Sequence, residues 1–146
     1  MSVKPRIGIY GFTGCAGCQL AILDCEEYLV DLFSVADIKV FYEASSSNDD
    51  HAEVDVALVE GSINTDQQER ELKEIRKRAK VLVAFGSCAH HGCVQAMAFQ
   101  DGRWEERFKK VYGDVKFTVA QPMEATPIHK FVKVDAWIPG CPPSTT

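Results

Sequence analysis

The sequence predicts an α/β protein built on an open parallel sheet with helices on both faces. Short apolar, β-branched runs alternate along most of the chain with segments whose apolar residues recur at helical spacing, the pattern of repeated βαβ units. The runs are apolar almost throughout, as in Val81-Leu82-Val83-Ala84-Phe85, which suits strands buried on both faces. The 146 residues, 46% of them hydrophobic, are enough for one core and one domain spanning 1–146.

The elements follow in order. Strands are expected near residues 6–10, 38–42, 54–60, 80–85 and 134–138. Between the first two, Ile22, Cys25, Leu29, Leu32 and Phe33 recur at helical spacing and predict a helix over about 18–33. A second helix is expected over 66–80. Thr65 is its N-cap, Asp66 and Glu69 lie in its first turn, and Arg76, Lys77 and Arg78 lie near its end, where the macrodipole favours cations. Leu72, Ile75 and Ala79 should face inward and the charged run around them outward. A third helix over 104–112 aligns Trp104, Phe108 and Val111, and the polar stretch 45–51 reads as a surface loop. No repeat or linker marks a domain boundary.

Composition excludes several functions. With 16 Lys+Arg against 21 Asp+Glu the net charge is -5, so there is no basic surplus for nucleic acid. No apolar stretch approaches the roughly 20 residues that cross a bilayer, so direct membrane insertion is not expected. The start, Met1-Ser2-Val3-Lys4-Pro5-Arg6, carries no apolar signal core and predicts a cytoplasmic protein. Six cysteines are too few for a small disulfide scaffold, and a reducing compartment leaves thiols free for metal or redox chemistry.

Four cysteines fall in loops that follow strands. Cys15-Ala16-Gly17-Cys18 follows the first strand, Gly86-Ser87-Cys88 the strand ending at Phe85, and Pro139-Gly140-Cys141-Pro142-Pro143 the last. Loops at the carboxyl ends of parallel strands gather on one edge and form its ligand crevice. Each loop also carries glycine, which allows the close backbone approach that a bulky inorganic group demands. Zinc would accept four thiolates, but structural zinc sites draw their ligands as two close pairs, whereas here the second pair is split between loops. A cubane [4Fe-4S] cluster takes four thiolates from wider positions and matches better. A helix N-terminus near Cys18 would also favour its negative charge.

The competing class is a thioredoxin-like dithiol oxidoreductase, because a C-x-x-C where a strand meets a helix is the arrangement that lowers a thiol pKa. That reading leaves Cys88 and Cys141 unexplained. Cys25 and Cys93 read as small buried apolar residues, Cys93 with less support because it shares a Gly-rich loop with Cys88. The glycines of Gly8-Ile9-Tyr10-Gly11-Phe12-Thr13-Gly14 are spaced G-x-x-G-x-x-G, which is not the dinucleotide fingerprint. His90 and His91 read first as polar loop residues and second as ligands or proton carriers. Glu60 is either a hydrogen-bonded loop anchor or a carboxylate near the cluster.

The ordered set Gly14-Cys15-Ala16-Gly17-Cys18-Gln19, Val59-Glu60-Gly61-Ser62, Gly86-Ser87-Cys88-Ala89, Val134-Asp135 and Pro139-Gly140-Cys141-Pro142-Pro143 resembles the small, electron-transfer subunit of nickel-iron hydrogenases. It is most similar to the cytoplasmic group 3 enzymes: the sulfhydrogenase delta subunit and the small subunit of bidirectional NAD(P)-linked hydrogenases. The resemblance implies a flavodoxin-like domain in which Cys15, Cys18, Cys88 and Cys141 hold a proximal [4Fe-4S] cluster at the carboxyl edge. It also implies a hydrogenase large subunit as partner, carrying the nickel-iron centre, and downstream diaphorase-type subunits. The cluster-bearing subunit of complex I is a related reading, though that branch usually has adjacent cysteines where this chain has a spaced C-x-x-C. Many respiratory members have a carboxylate shortly after the second cysteine; Gln19 and Leu20 stand here, so no proton role carries over. Cys93 stands where close relatives usually have glycine. The chain stops at Ser144-Thr145-Thr146, before the further cysteines of the sulfhydrogenase subunits, and so is expected to hold one cluster.

Overall fold

In the computed structural model, residues 4–97 and 101–144 are described. Five strands, β1 (Arg6–Gly11), β2 (Asp37–Phe41), β3 (Val54–Glu60), β5 (Ala79–Phe85) and β7 (Ala136–Ile138), form one parallel sheet in the order β2-β1-β3-β5-β7. Counted among themselves these strands run 2-1-3-4-5, the flavodoxin-like order, in which the connections leave the first strand in opposite directions on its two sides. Two further strands, β4 (Ile63–Thr65) and β6 (Pro122–Thr126), pair antiparallel beside the sheet. The sequence pattern does not reveal this pair, because three residues are too few to show a period.

Register explains the apolar runs. Ile9, Leu58 and Val83 are aligned across β1, β3 and β5, and so are their successors Tyr10, Val59 and Ala84. The two rows point to opposite faces. Helix α3 (Asp66–Arg78) covers the second row, burying Leu72 and Ile75 in the same cluster as Tyr10, Val59 and Ala84. The Thr65 hydroxyl caps it by accepting from the Gln68 N–H at 3.2 Å, as expected.

The helix predicted over 18–33 is two helices, α1 (Gly17–Leu23) and α2 (Glu26–Val35). Asp24 N–H closes α1 onto Leu20 at 2.8 Å, and Cys25, with ψ near 46°, starts the next helix on a new axis. The apolar spacing survives the break because both helices border one open groove against Phe85 and Ile138, to which Ile22, Cys25, Leu29 and Leu32 all contribute. Cys25 is therefore half-buried at a helix start and not within a continuous helix face. Its thiol donates to the Ala21 carbonyl at 3.3 Å.

Two short helices, α4 (Ser87–His91) and α5 (Cys93–Met97), follow β5 where loop was expected. In α6 (Trp104–Tyr112) the ring face is Trp104, Phe108 and Tyr112, with centroid spacings of 4.8 Å along it, while Val111 is exposed. No helix among the described residues is long and apolar enough to cross a membrane.

The last strand is short, only three residues, and pairs on one side with β5. Its approach is fixed by Asp135, whose carboxylate accepts from the Leu82 N–H at 2.9 Å and from the Arg76 guanidinium. These two donors hold the Asp135 carboxyl down at about 2. Because the folded pKa lies below the unfolded value, the stabilisation is full above about pH 4 and is lost as pH falls toward the folded value. Asp135→Asn should therefore unfold at lower urea than the parent at neutral pH. The gap between the two midpoints should close between about pH 4 and pH 2; a gap that stays constant over that window contradicts this role.

Candidate metal centre

The loop after β1 is fastened to the loop after β3 before it reaches its cysteines. Phe12 N–H donates to the Glu60 carbonyl at 2.9 Å, and Thr13 and Ser62 exchange backbone hydrogen bonds of 3.1 and 2.9 Å. The Gln68 amide donates to the Thr13 hydroxyl at 3.0 Å, and the Gln95 amide to the Thr13 carbonyl at 2.7 Å. Thr13 thus receives bonds from three separate parts of the chain. Ala16, in the left-handed region at φ 60°, then turns the chain into α1.

The loops after β5 and β7 are joined in the same way. Gly86 N–H donates to the Ile138 carbonyl at 2.8 Å; Ser87 gives the Gly140 carbonyl both its N–H, at 2.7 Å, and its hydroxyl, at 2.9 Å. Cys88 and Cys141 are each the residue after one of these bonded positions. Gly86 is where the third loop arrives. Its φ of 85° and ψ of 167° are a combination open essentially only to glycine. A Cβ there would lie 2.2 Å from Cys18 Sγ and 3.6 Å from the Gly140 carbonyl oxygen. On the other side, a Cβ at Gly14 would lie 3.9 Å from Cys88 Sγ and 3.5 Å from Glu60 Oε1. Loops from three parts of the sequence therefore meet at one edge of the sheet, as their positions at strand ends predict.

The thiols feel one another. Burial pushes the Cys18 thiol up to about 12, with Glu60, Cys88, Cys15 and Cys141 all adding to the rise. Burial also raises Cys88, against a lowering hydrogen bond with Gln95, whose Oε1 lies 3.7 Å from the sulfur. Cys141 is raised chiefly through a hydrogen bond with Cys93. Cys15 and Cys141 are exposed, Cys18 is buried and Cys88 lies between. With no positive charge among them, the raised thiols keep their protons at neutral pH, and a cationic group is what would let them ionise together. Among the described residues no group of three or more His, Cys, Asp or Glu could hold a single metal ion.

Glu60 ends β3 and is buried, only 2% exposed. Burial raises its carboxyl, outweighing the lowering effect of the nearby Gln19 side chain and the Gln19 and Cys18 N–H groups. Among the described residues, its Oε2 and the Gln19 Oε1 have no hydrogen-bond partner. His90 and His91 are not loop residues but end α4. The His90 ring lies 4.8 Å from the Trp137 ring, and His129 lies 5.5 Å from Trp137 on another side. The expected help from a helix N-terminus shrinks, because α1 has seven residues and its dipole is correspondingly small.

Sequence reasoning missed Gln68 and Gln95, which carry no motif, and misjudged Cys93. That residue is half-buried, sits at φ 51°, and raises the thiols of both Cys88 and Cys141.

The close approach at Gly86 has a measurable cost. Gly102, also at positive φ, has open space around it, so Gly102→Ala should lose about 1 kcal/mol from backbone strain alone. Gly86→Ala adds a collision with a buried sulfur and should lose roughly 2–4 kcal/mol by urea unfolding. Equal losses would mean that the loops do not pack as described.

Comparison with known proteins places these features in context. Residues 15–146 match the family model described as NADH ubiquinone oxidoreductase, 20 Kd subunit. Sulfhydrogenase 2 subunit delta of Pyrococcus furiosus is 35% identical over 137 residues, covering 94% of this chain and 56% of that protein. The F420-non-reducing hydrogenase iron-sulfur subunit of Archaeoglobus profundus is 29% identical over 161 residues, covering 89% of this chain and 49% of its own length. The chain thus spans about half the length of these relatives. Among solved structures, a chain of NAD+-reducing [NiFe]-hydrogenase in the H2-reduced state superposes with a TM-score of 0.82 at 28% identity. That superposition covers 97% of this chain and 85% of that one.

Proposed function

We propose an electron-relay role for this chain, which belongs to the NADH ubiquinone oxidoreductase 20 Kd subunit family. It carries one [4Fe-4S] cluster on Cys15, Cys18, Cys88 and Cys141, docks on a nickel-iron hydrogenase large subunit where dihydrogen is split, and works in the cytoplasm. Electrons then pass to diaphorase-type subunits that reduce NAD(P) or a similar acceptor. The observation that carries the reading is the meeting at Gly86, where the backbone of the Cys88 loop lies against the buried Cys18 thiol on one side and near the carbonyl that precedes Cys141 on the other. The iron-sulfur and hydrogenase names of the relatives point the same way.

When bound, such a cluster supplies one-electron redox chemistry. The chain's own residues set its conditions. Cys18, Cys88 and Cys141 must give up protons to act as ligands, so loading is coupled to proton release and weakens in acid. Gly86 keeps the backbone thin where the thiols converge. Glu60 and Gln19 hold the Cys18 N–H side of the site from within the protein, and the buried Glu60 carboxyl would add negative charge and lower the potential if it ionised. A thioredoxin-like exchange pair is disfavoured, since it leaves without a role Cys88 and Cys141, whose charges act on Cys18.

Separating hydrogen chemistry from electron removal tests the role. Exchange of deuterium gas with water needs no net electron flow and can proceed at the partner's metal centre. In a complex assembled with Cys18→Ala, gas-water exchange should persist while reduction of an external acceptor collapses, with subunit association checked by gel filtration. If both fall in an assembled complex that retains its nickel, the chain takes part in the chemistry and the pure relay reading is withdrawn.

A further inference from the structure

Helix α3 carries five basic residues, and four of them are paired: Arg70 with Asp66, Lys73 with Glu69, Arg76 with Asp135 and Lys77 with Glu74. Arg78, the last residue of the helix, belongs to none of these pairs. Capping does not occupy it either, because the Arg76 guanidinium already donates to the Ala79 and Lys80 carbonyls, at 2.6 and 3.1 Å. Its Nε is buried and has no hydrogen-bond acceptor among the described residues. The Tyr10 hydroxyl is in the same condition: Tyr10 is 4% exposed, and its oxygen is buried without a partner. A buried donor left without an acceptor destabilises the fold, and two of them in one place point to an acceptor that the chain does not supply.

Both residues line one cavity of about 380 Å³, between α3 and the connection from β2 to β3. That connection, residues 42–53, contains no helix, so a loop covers this face of β1 and β2. The loop is fastened to β2, where Asn48 Oδ1 accepts from the Phe41 N–H at 2.7 Å and the Asp49 N–H donates to the Lys39 carbonyl at 2.9 Å. On the floor, a Cβ at Gly8 would lie 2.6 Å from the Tyr10 hydroxyl oxygen, so the ring lies back along β1 over a residue without a side chain. Burial raises the Tyr10 hydroxyl, with Arg78 opposing the rise and Asp50 and Asp49 adding to it, so at neutral pH the group keeps its proton and remains a donor.

Floor and rim differ in character. Tyr10 and Ile75 are buried and Phe12 and Arg78 half-buried, whereas Asp50, Glu71 and Glu74 stand exposed at the mouth. The acids at the mouth are served from within the chain: the Tyr42 hydroxyl donates to Asp50, the Gln67 amide to Glu71 at 2.8 Å, and Lys77 to Glu74 at 2.6 Å. What stays open is one cationic and one neutral donor, set among apolar and aromatic walls.

We propose that this cavity binds a small organic carboxylate with an aromatic or apolar body, its oxygens accepting from the Tyr10 O–H and the Arg78 Nε–H. One negative charge matches the one unpaired guanidinium, which stays charged at any working pH. A dianionic phosphate is disfavoured by the three acids at the mouth. No cysteine lines the cavity, so the site is separate from the candidate metal centre.

The probe is benzoate, titrated into the full chain under anaerobic, reducing conditions and followed by NMR and by the urea midpoint. Benzoate should bind with a dissociation constant of about 1 mM, as a fragment of its size allows, and raise the midpoint. Benzamide, which keeps the ring and the carbonyl but not the charge, should bind about tenfold more weakly, and inorganic phosphate should not bind. Tyr10→Phe and Arg78→Gln should each weaken benzoate about tenfold. Without probe, Tyr10→Phe should unfold at the same urea as the unsubstituted chain or higher, because it removes a buried hydroxyl that has no partner. Any one of four results overturns the assignment: no benzoate binding by either readout, equal binding by the parent and both variants, phosphate bound as tightly as benzoate, or a lower midpoint for Tyr10→Phe without probe.

Discussion

The mutual approach of Cys18 Sγ, Gly86 and the Gly140 carbonyl is the constraint around which the carboxyl edge is arranged. Parallel strands deliver their following loops to one edge, but alignment alone would leave those loops several ångströms apart. Here they are drawn into contact because the backbone after β5 has no side chain where the first loop presses on it. Ser87 then gives two bonds to the Gly140 carbonyl, and Thr13 collects bonds from Gln68, Gln95 and Ser62. Each fastening uses a loop's backbone polar groups, which would otherwise be left without partners as the loops pack together.

Electrostatics make the same place unfavourable until something positive enters it. Cys18, Cys88, Cys141 and Glu60 all have their charged forms opposed by burial or by one another. A set of acids that cannot all ionise is poor at surface chemistry and good at receiving a cationic centre, whose binding is then linked to pH. Folding and loading act on different parts of the molecule: the sheet and α3 bury the apolar cluster, while the thiols lie beyond the strand ends.

Much of this was legible in the sequence, and the limits have physical causes. The span 54–60 is readable to the residue because both faces of that strand are buried and the apolar run stops where the loop begins. Thr65 and the charge gradient of α3 are readable because capping and macrodipole effects are local. The break at Asp24 and Cys25 was hidden because two helices share one groove and preserve the spacing across it. The position of Cys93 was hidden for the opposite reason: its left-handed backbone and its neighbours 5 and 48 residues away are set by tertiary contacts that leave no periodic trace. The meeting of the loops that carry Cys18, Cys88 and Cys141 was legible because all three follow parallel strands, whose carboxyl ends share one edge.

The brevity of β7 has a further consequence, for solubility. Among the described residues the sheet ends there, and an edge strand offers N–H and C=O groups of the kind that recruit strands from other molecules. Three residues followed by Pro139, and then by Pro142 and Pro143, give an incoming strand little ladder to extend, since proline contributes no donor. The stretch that leads to Cys141 is therefore also a guard against edge-to-edge aggregation.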